Sequence, residues 1–331
     1  MITEERTITI NRRKSSLIYF VTNYNSLFFL ILLVIVSSII SNAFFSFTNI
    51  TNLLKTSVVY GIMAFGFTLC IISGSIDLSL GYNLAITAVI ATIFVRDYNY
   101  IWAVIMCLIV GTLVGLVNGF FIGILGANSV IVTLGMTSVL YALGVQTSGG
   151  NMILGDVRSP FSLIGRGKIY NIPYQIFIFI LLFFILNILL NKTRFGKYIY
   201  AVGGDEAISW VAGIKTGNVR LTVFIIAGFC AAVAGMIFAS RNESAVISGG
   251  AYWQNQFDAV TAVVVGGGSI SGGRGSLVKT LLGILILAFL RNLLNLIGIS
   301  FEFQQIFKAL VLIIAMLFNN LFIRGKLQSN E

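Results

Sequence analysis

The chain has 331 residues, of which 57% are hydrophobic and 10% are charged, and its formal net charge is +10 at pH 7. A soluble domain carries about 25% charged residues, so this chain has too little polar surface to cover a water-facing globule. Its Lys and Arg residues cluster at the ends of apolar runs, which is typical of membrane-helix orientation and not of nucleic-acid binding. No His is present, which excludes catalysis and metal binding by His side chains. The composition indicates a polytopic membrane protein.

Ten apolar runs follow one another along the chain, separated by polar segments. They cover residues 27–40, 57–72, 82–95, 101–125, 129–145, 172–190, 221–239, 259–265, 277–297 and 303–323. A helix that spans a bilayer needs about 20 apolar residues, so several runs are short, and the run at 82–95 is short enough to be re-entrant. We expect an all-α, polytopic integral membrane protein of about ten transmembrane helices, some broken or re-entrant. The transmembrane domain then covers residues 17–324, between tails at 1–16 and 325–331.

The segment from Lys192 to Arg220 is a long charged interruption between two apolar runs. It contains five basic residues and the adjacent acids Asp205 and Glu206. An even number of spans places both termini on one side, and the basic N-terminus predicts that this side is the cytoplasm. The same count places the segment 192–220 in the cytoplasm, where a second protein could reach it.

The stretch SGSIDLSLG at residues 73–81 places Asp77 between two apolar runs. Acidic side chains are costly within a bilayer, so Asp77 is expected at an interface, in a cavity or in a pair. One interpretation is a turn or broken helix that lines a pathway. The other, which we favour from the residues alone, is an Asp that caps the next helix at the membrane surface.

The glycine-rich stretch GGGSISGGRGS at residues 266–276 resembles a phosphate-binding loop in the spacing of Gly268 and Gly273. Arg274 and Gly275, however, stand where that loop requires Lys and Ser or Thr. We therefore expect a flexible glycine turn that holds Arg274 at the cytoplasmic surface. With no nucleotide-binding motif, no paired carboxylates and no nucleophile–base set, the sequence predicts a transport subunit without an ATPase site of its own.

Polar side chains also occur within the apolar runs, among them Asn118 and Asn292, and they can serve either helix packing or contact with a solute. The basic side chain of Lys308 is expected to extend to the external surface from the end of the last span. The acidic residues all fall near predicted span ends, which counts against an ion-gradient-driven transporter. They are Asp77, Asp97, Glu243, Asp258 and Glu302.

Four stretches together resemble the permease subunits of ribose-type ATP-binding-cassette (ABC) sugar importers, within the broader family that includes branched-chain amino-acid and nucleoside permeases. They are SGSIDLSLG (73–81), NSVIVTLGM (128–136), TRFGKYIYAVGG (193–204) and VVVGGGSISGGRGS (263–276) with LRNLLNLIGI (290–299) after it. The resemblance extends from about residue 50 to residue 320. It implies a transmembrane permease domain in a bacterial inner membrane, with both termini in the cytoplasm.

The resemblance also implies partners. These are an ABC ATPase subunit that uses the ATP, an extracytoplasmic solute-binding protein, membrane lipid, and a second permease copy or a paralogue that completes a dimer. The chain itself is expected to bind no cofactor, metal or nucleic acid and to have no catalytic residues.

In this family the counterpart of residues 203–218 resembles the coupling helix, which sits in a groove of the ATPase. On that mapping Glu206, Gly213 and Ile214 fall on matching positions, and Asp205 stands where relatives often have Asn. The residues expected to couple to the ATPase are Asp205, Glu206, Ala207, Trp210, Gly213 and Ile214. The chain departs from the family where Glu-Ala-Ala often precedes the glycine, because Ala207, Ile208 and Ser209 stand there. Trp210 occupies a position that is often basic, so both interfacial anchoring and ATPase contact stay open for it.

The residues expected to line or gate the pathway come from the interrupted stretches and from polar positions within the runs. They are Asp77, Ser79, Gly81, Asn118, Asn128, Gly267, Gly272, Arg274 and Asn292. The predicted solute is a monosaccharide or a similar small polar molecule. The alternatives are a nucleoside, a furanose signal molecule or a branched-chain amino acid and, with less support, transport driven by an ion gradient.

Overall fold

The structure, a computed structural model, describes residues 26–248 and 250–313. In chain order the helices are α1 (Ser26–Ile40), α2 (Phe47–Ile72), α3 (Leu80–Asp97), α4 (Tyr100–Gly119), α5 (Ser129–Ser148), α6 (Ser162–Arg166), α7 (Tyr174–Lys192), α8 (Arg194–Gly204), α9 (Glu206–Val211), α10 (Thr216–Asn242), α11 (Ala251–Val265), α12 (Leu277–Leu296) and α13, which is helical over 301–313. A π-helical turn at Phe120–Ile124 extends α4. The predicted all-α class is confirmed.

Each of the ten predicted runs coincides with a helix, in the predicted order. Within the described residues, seven of these helices are long and apolar enough to cross a membrane: α2, α3, α4 with its π-helical turn, α5, α7, α10 and α12. The shorter α1 and α11 correspond to two further runs, and the last run continues past residue 313, outside the described residues. Both predicted tails also lie outside the described residues.

Two predicted run boundaries were wrong because polar residues were assigned to loops. Helix α2 begins at Phe47, where the hydroxyl of Ser46 accepts a hydrogen bond from Asn49 N at 3.2 Å and caps the helix. Helix α11 begins at Ala251, well before the predicted start at residue 259. Both helices therefore carry polar side chains on turns that hydropathy alone excluded.

Helices α2, α3 and α10 form the centre of the fold, and α4 packs antiparallel on α10 through glycines. Four glycines repeat at every fourth position along α4 and its π-helical turn: Gly111, Gly115, Gly119 and Gly123. A Cβ atom on Gly115 would overlap the carbonyl oxygen of Phe224, and one on Gly123 would overlap that of Gly217. The two backbones are in direct contact, as in the small-residue packing of membrane helices.

One end of the molecule, which we call the sheet end, carries four two-residue strands. Strands β1 (Ile153–Leu154) and β4 (Ser244–Ala245) form one antiparallel pair, and β2 (Lys168–Ile169) and β3 (Ile172–Pro173) form the other. Ser240, at the end of α10, anchors this cap, because its hydroxyl donates to Phe161 O at 2.6 Å and accepts from Gly165 N at 2.8 Å. The opposite end of the molecule, which carries α9, is called the α9 end.

A buried ion pair joins α11 to α13. The Nζ atom of Lys308 lies 2.9 and 3.1 Å from the two carboxylate oxygens of Asp258, and the two side chains are 8% and 6% exposed. The expectation that Lys308 extends to the surface was therefore wrong, as was the placement of Asp258 near a span end. In a low-dielectric interior each charge is stabilised by the other.

Candidate functional site

The chain leaves helical conformation between α2 and α3, over residues 73–79. Non-helical backbone at membrane depth must find hydrogen-bond partners within the protein. Three hydroxyls on one face of α5 supply them. Ser129 Oγ accepts from Ile76 N at 3.1 Å, Thr133 Oγ1 accepts from Leu78 N at 3.1 Å, and Thr137 Oγ1 donates to Leu78 O at 3.1 Å. Helix α5 therefore holds the interrupted segment along its length.

Asp77 and Ser79 form a buried polar turn at the start of α3. The Asp77 carboxylate accepts from Ser79 N at 2.9 Å and from the Ser79 hydroxyl at 2.6 Å. That hydroxyl in turn accepts from Asn118 Nδ2 on α4 at 2.8 Å. Asp77 is 1% exposed, and the residue at the helix cap is Ser79. The interpretation of Asp77 as a surface cap was wrong, because α5 and α4 enclose the turn inside the fold.

The first turn of α3 contacts α11 and α4 through further polar groups. Gln256 Oε1 accepts from Gly81 N at 2.8 Å, and Asn83 Nδ2 donates to Gly111 O at 3.1 Å. The Oδ1 atoms of Asn83 and Asn118 are buried and have no hydrogen-bond partner among the described residues. Buried acceptors of this kind are uncommon, and they provide unused binding capacity beside the interrupted helix.

At the α9 end, the last turn of α8 is pressed against the end of α2. A Cβ atom on Gly203 would overlap the carbonyl oxygen of Ile72, and one on Gly272 would lie 2.5 Å from Gly203 O and 2.9 Å from Gly74 Cα. Gly273 N also donates to Ile72 O at 2.9 Å. We call these four glycines with Ile72 the glycine junction, because only residues without side chains permit three backbone segments to meet there.

Tyr200 makes a further contact between α8 and the loop before α12. Its hydroxyl donates to Gly275 O, in the loop before α12, at 2.8 Å. Burial raises the pKa of this hydroxyl, so it remains a protonated donor. Helix α8 therefore contacts both interrupted stretches of the sequence, the one after α2 and the one before α12.

Helix α9 follows the glycine junction directly and contains the predicted coupling positions. Asp205 Oδ1 accepts from Ile208 N at 2.9 Å and caps α9, and Glu206 pairs with Arg220 of α10 at 2.8 Å. Besides Glu206, the exposed residues of α9 are apolar: Ala207, Ile208, Trp210 and Val211, with Trp210 71% exposed. After α9, Gly213 adopts a positive φ of 84°, and Ile214 N donates to Ser209 O at 3.0 Å.

A groove of about 380 Å³ opens beside α9. It lies between α8 and the start of α10 and is lined by aromatic, apolar and polar side chains, with Lys215 as its cation. The lining residues are Phe195, Tyr198, Gly213, Ile214, Lys215, Asn218, Val219 and Thr222. An exposed apolar helix beside a groove of this size suits the docking of another protein.

The structure brings some of the predicted pathway residues together and separates others. Asp77, Ser79, Gly81 and Asn118 lie together at the start of α3. Gly272 belongs to the glycine junction. The other four residues lie apart from this group. Asn128 caps α5, and Gly267 has a positive φ of 96°. Arg274 is exposed and its carbonyl oxygen accepts from Ser269 N at 3.1 Å, whereas Asn292 exchanges two side-chain hydrogen bonds with Asn49, at 2.7 and 3.0 Å.

Sequence reasoning missed the residues that support this site. The hydroxyls of Ser129, Thr133 and Thr137 recur at every fourth position of a mostly apolar run, and this periodicity was a usable signal. Gln256 lay in a segment read as a loop, so its contact with Gly81 was not foreseeable. Among the described residues, no group of three or more Cys, Asp or Glu side chains is placed to hold a metal ion.

The interrupted helices, the buried polar turn between them and the glycine packing of α4 define a membrane transport protein. Comparison with known proteins agrees. Residues 49–316 match a family described as a branched-chain amino acid transport system permease component. The chain is 38% identical to the ribose import permease protein RbsC of Haemophilus influenzae over 305 residues, which cover 91% of this chain and 94% of that one.

Two further relatives extend the comparison. The chain is 39% identical to RbsC of Bacillus subtilis, over 87% of this chain and 89% of that one. It is 31% identical to the L-arabinose transport system permease protein AraH of Escherichia coli, over 89% and 90% respectively. No solved structure matches the chain. The chain belongs to this permease family and is a multi-pass inner-membrane subunit of an ABC importer.

The contact between α5 and the interrupted segment is testable by replacing Thr133 with Val. The Thr133→Val change keeps the side-chain volume but leaves Leu78 N without its acceptor. We expect it to destabilise the purified protein by about 1–3 kcal/mol, measured as thermal unfolding in detergent. Thr92 is the matched control, because it is also buried and its hydroxyl donates only to Ala88 O of its own helix, at 2.8 Å. Equal loss of stability in the two Thr→Val variants would contradict the assigned contact.

Proposed function

We propose that the chain is the permease subunit of an ABC importer for a pentose or a related monosaccharide. The observation that carries this is the direct contact, at the glycine junction, between the segment bearing α9 and the end of the interrupted helix α2. A device that transmits movement from an outside motor to a membrane pathway needs such a contact. The relatives named for ribose and L-arabinose support a sugar as the solute.

The motor in this proposal is a separate ATPase subunit. The chain uses no ATP and binds no cofactor, and it is not an enzyme. Helix α9 provides the docking surface through Ile208, Trp210 and Val211, which are 68%, 71% and 80% exposed. The groove beside α9 accepts side chains from the ATPase. The ion pair of Glu206 with Arg220 keeps α9 in register with α10 during docking.

The class of importer is tested by replacing Trp210 with Ala. We expect cells carrying this variant to lose at least tenfold of their ATP-dependent uptake of labelled D-ribose, and the tagged permease to lose the co-purifying ATPase. Loss of one buried interface Trp commonly costs 2 kcal/mol or more, which is about thirtyfold in affinity. Trp102 of α4 is the control, because it is 51% exposed but lies away from α9.

Three results would speak against this function. Uptake that persists without ATP and collapses with the proton gradient would indicate an ion-driven transporter. Uptake of labelled leucine but of no sugar would favour the second candidate solute, a branched-chain amino acid, which the family description supports. Undiminished ATPase co-purification with the Trp210→Ala variant would remove α9 from the docking surface.

The glycine junction then transmits the movement of α9 to the pathway. Asp205 joins α8 to α9 within a single residue, so displacement of α9 moves Gly203 and its contact with Ile72. The interrupted segment 73–79 starts at this contact and leads to the polar turn of Asp77 and Ser79. The pathway residues of this proposal are Asp77, Ser79, Gly81 and Asn118.

Replacing Gly203 with Ala should separate ATP hydrolysis from transport. The added methyl group would overlap Ile72 O and force α8 away from α2. In proteoliposomes containing the whole transporter, we expect ATP hydrolysis to continue while sugar uptake falls about tenfold or more. Gly204 is the matched control, since a Cβ atom there meets nothing within 4 Å and its φ is not positive. An unchanged ratio of uptake to hydrolysis in the Gly203→Ala variant would refute the transmission of movement through the glycine junction.

A second permease copy completes the pathway in this proposal. On the face of α5 opposite the interrupted segment, large apolar side chains such as Ile131 are interspersed with exposed small and polar residues. The small and polar residues are Gly135, Ser138, Ala142 and Gln146. Lipid offers no hydrogen-bond partner to Ser138 and Gln146, whereas a second helix can do so and can pack closely on Gly135 and Ala142. The pathway then lies between two copies, with α5 of each beside it.

A cysteine at Ser138 tests this arrangement. The native Cys70, Cys107 and Cys230 are buried and can remain. We expect the Ser138→Cys variant to form a cross-linked dimer with a short bifunctional maleimide in native membranes. The control is Leu181→Cys on α7, a position that is 60% exposed on another face. Cross-linking at residue 181 but not at residue 138 would move the interface away from α5.

The sheet end faces outward in this proposal, and a solute-binding protein docks there. Its cap is held by Ser240 and by the pairing of Arg166 with Glu243 at 2.8 Å, so it offers a fixed surface. The α9 end and both termini then lie in the cytoplasm. The excess of basic residues in the segment 192–220 supports this orientation.

A further inference from the structure

Four aromatic side chains meet beside the polar turn of Asp77 and Ser79. The ring of Tyr82 packs edge-on against two other rings. Its centroid lies 5.6 Å from that of Tyr141 on α5 and 5.7 Å from that of Trp253 on α11. Trp253 stacks on Phe257 with a distance of 5.9 Å between the ring centroids, and its indole nitrogen donates to the Tyr82 hydroxyl at 3.0 Å. We call Tyr82, Tyr141, Trp253 and Phe257 the aromatic cluster. It joins α3, α5 and α11.

The aromatic cluster lies at the level of the middle of α5. Tyr82 and Trp253 are each the third residue of their own helices, but α3 begins at the interrupted segment within the fold and not at a membrane surface. Tyr141 is the thirteenth of the 20 residues of α5, so it is about 18 Å from the start and 10 Å from the end of that helix. Phe257 is the seventh of the 15 residues of α11. Aromatic side chains that anchor a protein to the membrane surface lie at helix ends. The aromatic cluster is therefore not part of such a belt.

The aromatic cluster is also open on one side. Phe257 is 57% exposed and Tyr141 is 43% exposed. A Tyr side chain that is exposed at this depth needs a partner for its hydroxyl, which lipid tails do not offer and a polar passage does. The proposed pathway between two permease copies would supply such a passage on the open side.

We propose that the aromatic cluster is a contact surface for the ring of a sugar during its passage, an assignment that rests on the proposed function. The C–H face of a sugar ring packs on the rings of Phe257 and Trp253, while the hydroxyls of Tyr82 and Tyr141 bind its hydroxyl groups. Sites that combine aromatic walls with few polar groups are the usual form of small-molecule sites.

The chemistry of the aromatic cluster favours an uncharged ring over an amino acid. An amino acid needs partners for a carboxylate and for an ammonium group. The nearest described acid in sequence is Asp77, whose carboxylate is already engaged by Ser79. The acid on α11, Asp258, is occupied by Lys308. No unpaired charge on these elements is therefore offered to such a solute.

The first test measures uptake of labelled D-ribose and L-arabinose by cells in which each variant replaces the chromosomal copy. We expect Phe257→Ala to lower the uptake rate about fivefold at equal membrane abundance, because one aromatic contact is lost. Phe184→Ala on α7 is the matched control, as Phe184 is 56% exposed and lies on another face. If wild-type cells take up neither sugar, the proposed function fails. If they do and the two variants behave alike, only this inference fails.

The second test observes the contact directly. The chain has three Trp residues, so the Trp102→Phe, Trp210→Phe variant keeps Trp253 as the single indole. In nanodiscs, we expect whichever of D-ribose and L-arabinose the wild type takes up to change the fluorescence of Trp253 saturably. D-mannitol, which has hydroxyls but no ring, should not change it. Equal effects of the two compounds, or no effect of the sugar, would overturn the assignment. A matched variant that keeps only Trp102 should respond to neither compound.

Discussion

The fold depends on satisfying the backbone where the chain stops being helical inside the membrane. Residues 73–79 interrupt the path from α2 to α3, and lipid has no hydrogen-bond partners for their amide and carbonyl groups. The hydroxyls of Ser129, Thr133 and Thr137 replace water as partners for this segment. Since these hydroxyls recur along one face of α5, that helix is fixed beside the interruption. The other face of α5 is thereby left for contact outside the subunit.

Glycine supplies the second condition, which is close approach of backbones. Along α4 and α10 it produces a tight and extended contact that suits a fixed scaffold. At the glycine junction it brings the α8 segment, the end of α2 and the loop before α12 to one point. The two uses of glycine differ in effect. The first holds long helices together over many turns, and the second joins three segments from distant parts of the chain at one point.

The sequence was sufficient to predict much of the architecture. Apolar runs and scarce charges predicted the helices in order, since burial in lipid leaves few alternatives for such segments. The sequence did not predict the start of α2 at the cap of Ser46 or the polar first turns of α11, because hydropathy assigns such residues to loops. The resemblance correctly identified the permease family. It did not reveal which glycine of the α8 segment touches α2, because that depends on how distant elements pack.

The site was predictable only in its local parts. Asp77 and Ser79 are two residues apart, so their turn follows from local chemistry. Their enclosure by α4 and α5 does not, and the surface position expected for Asp77 was wrong for that reason. The contacts of Gln256 with Gly81 and of Lys308 with Asp258 join residues far apart in the chain. A pattern in one sequence contains no information on such pairs.

The pair of Asp258 and Lys308 also constrains how the protein enters the membrane. Helix α11 has only 15 residues and includes an acid, and α13 carries a lysine at membrane depth. Either charge alone costs about 2.5–3.5 kcal/mol at the centre of a bilayer during insertion. The two charges neutralise each other only after α12 has been made and α13 follows it. The stretch from α11 onward therefore gains the stabilisation of this ion pair only when synthesis has passed Lys308.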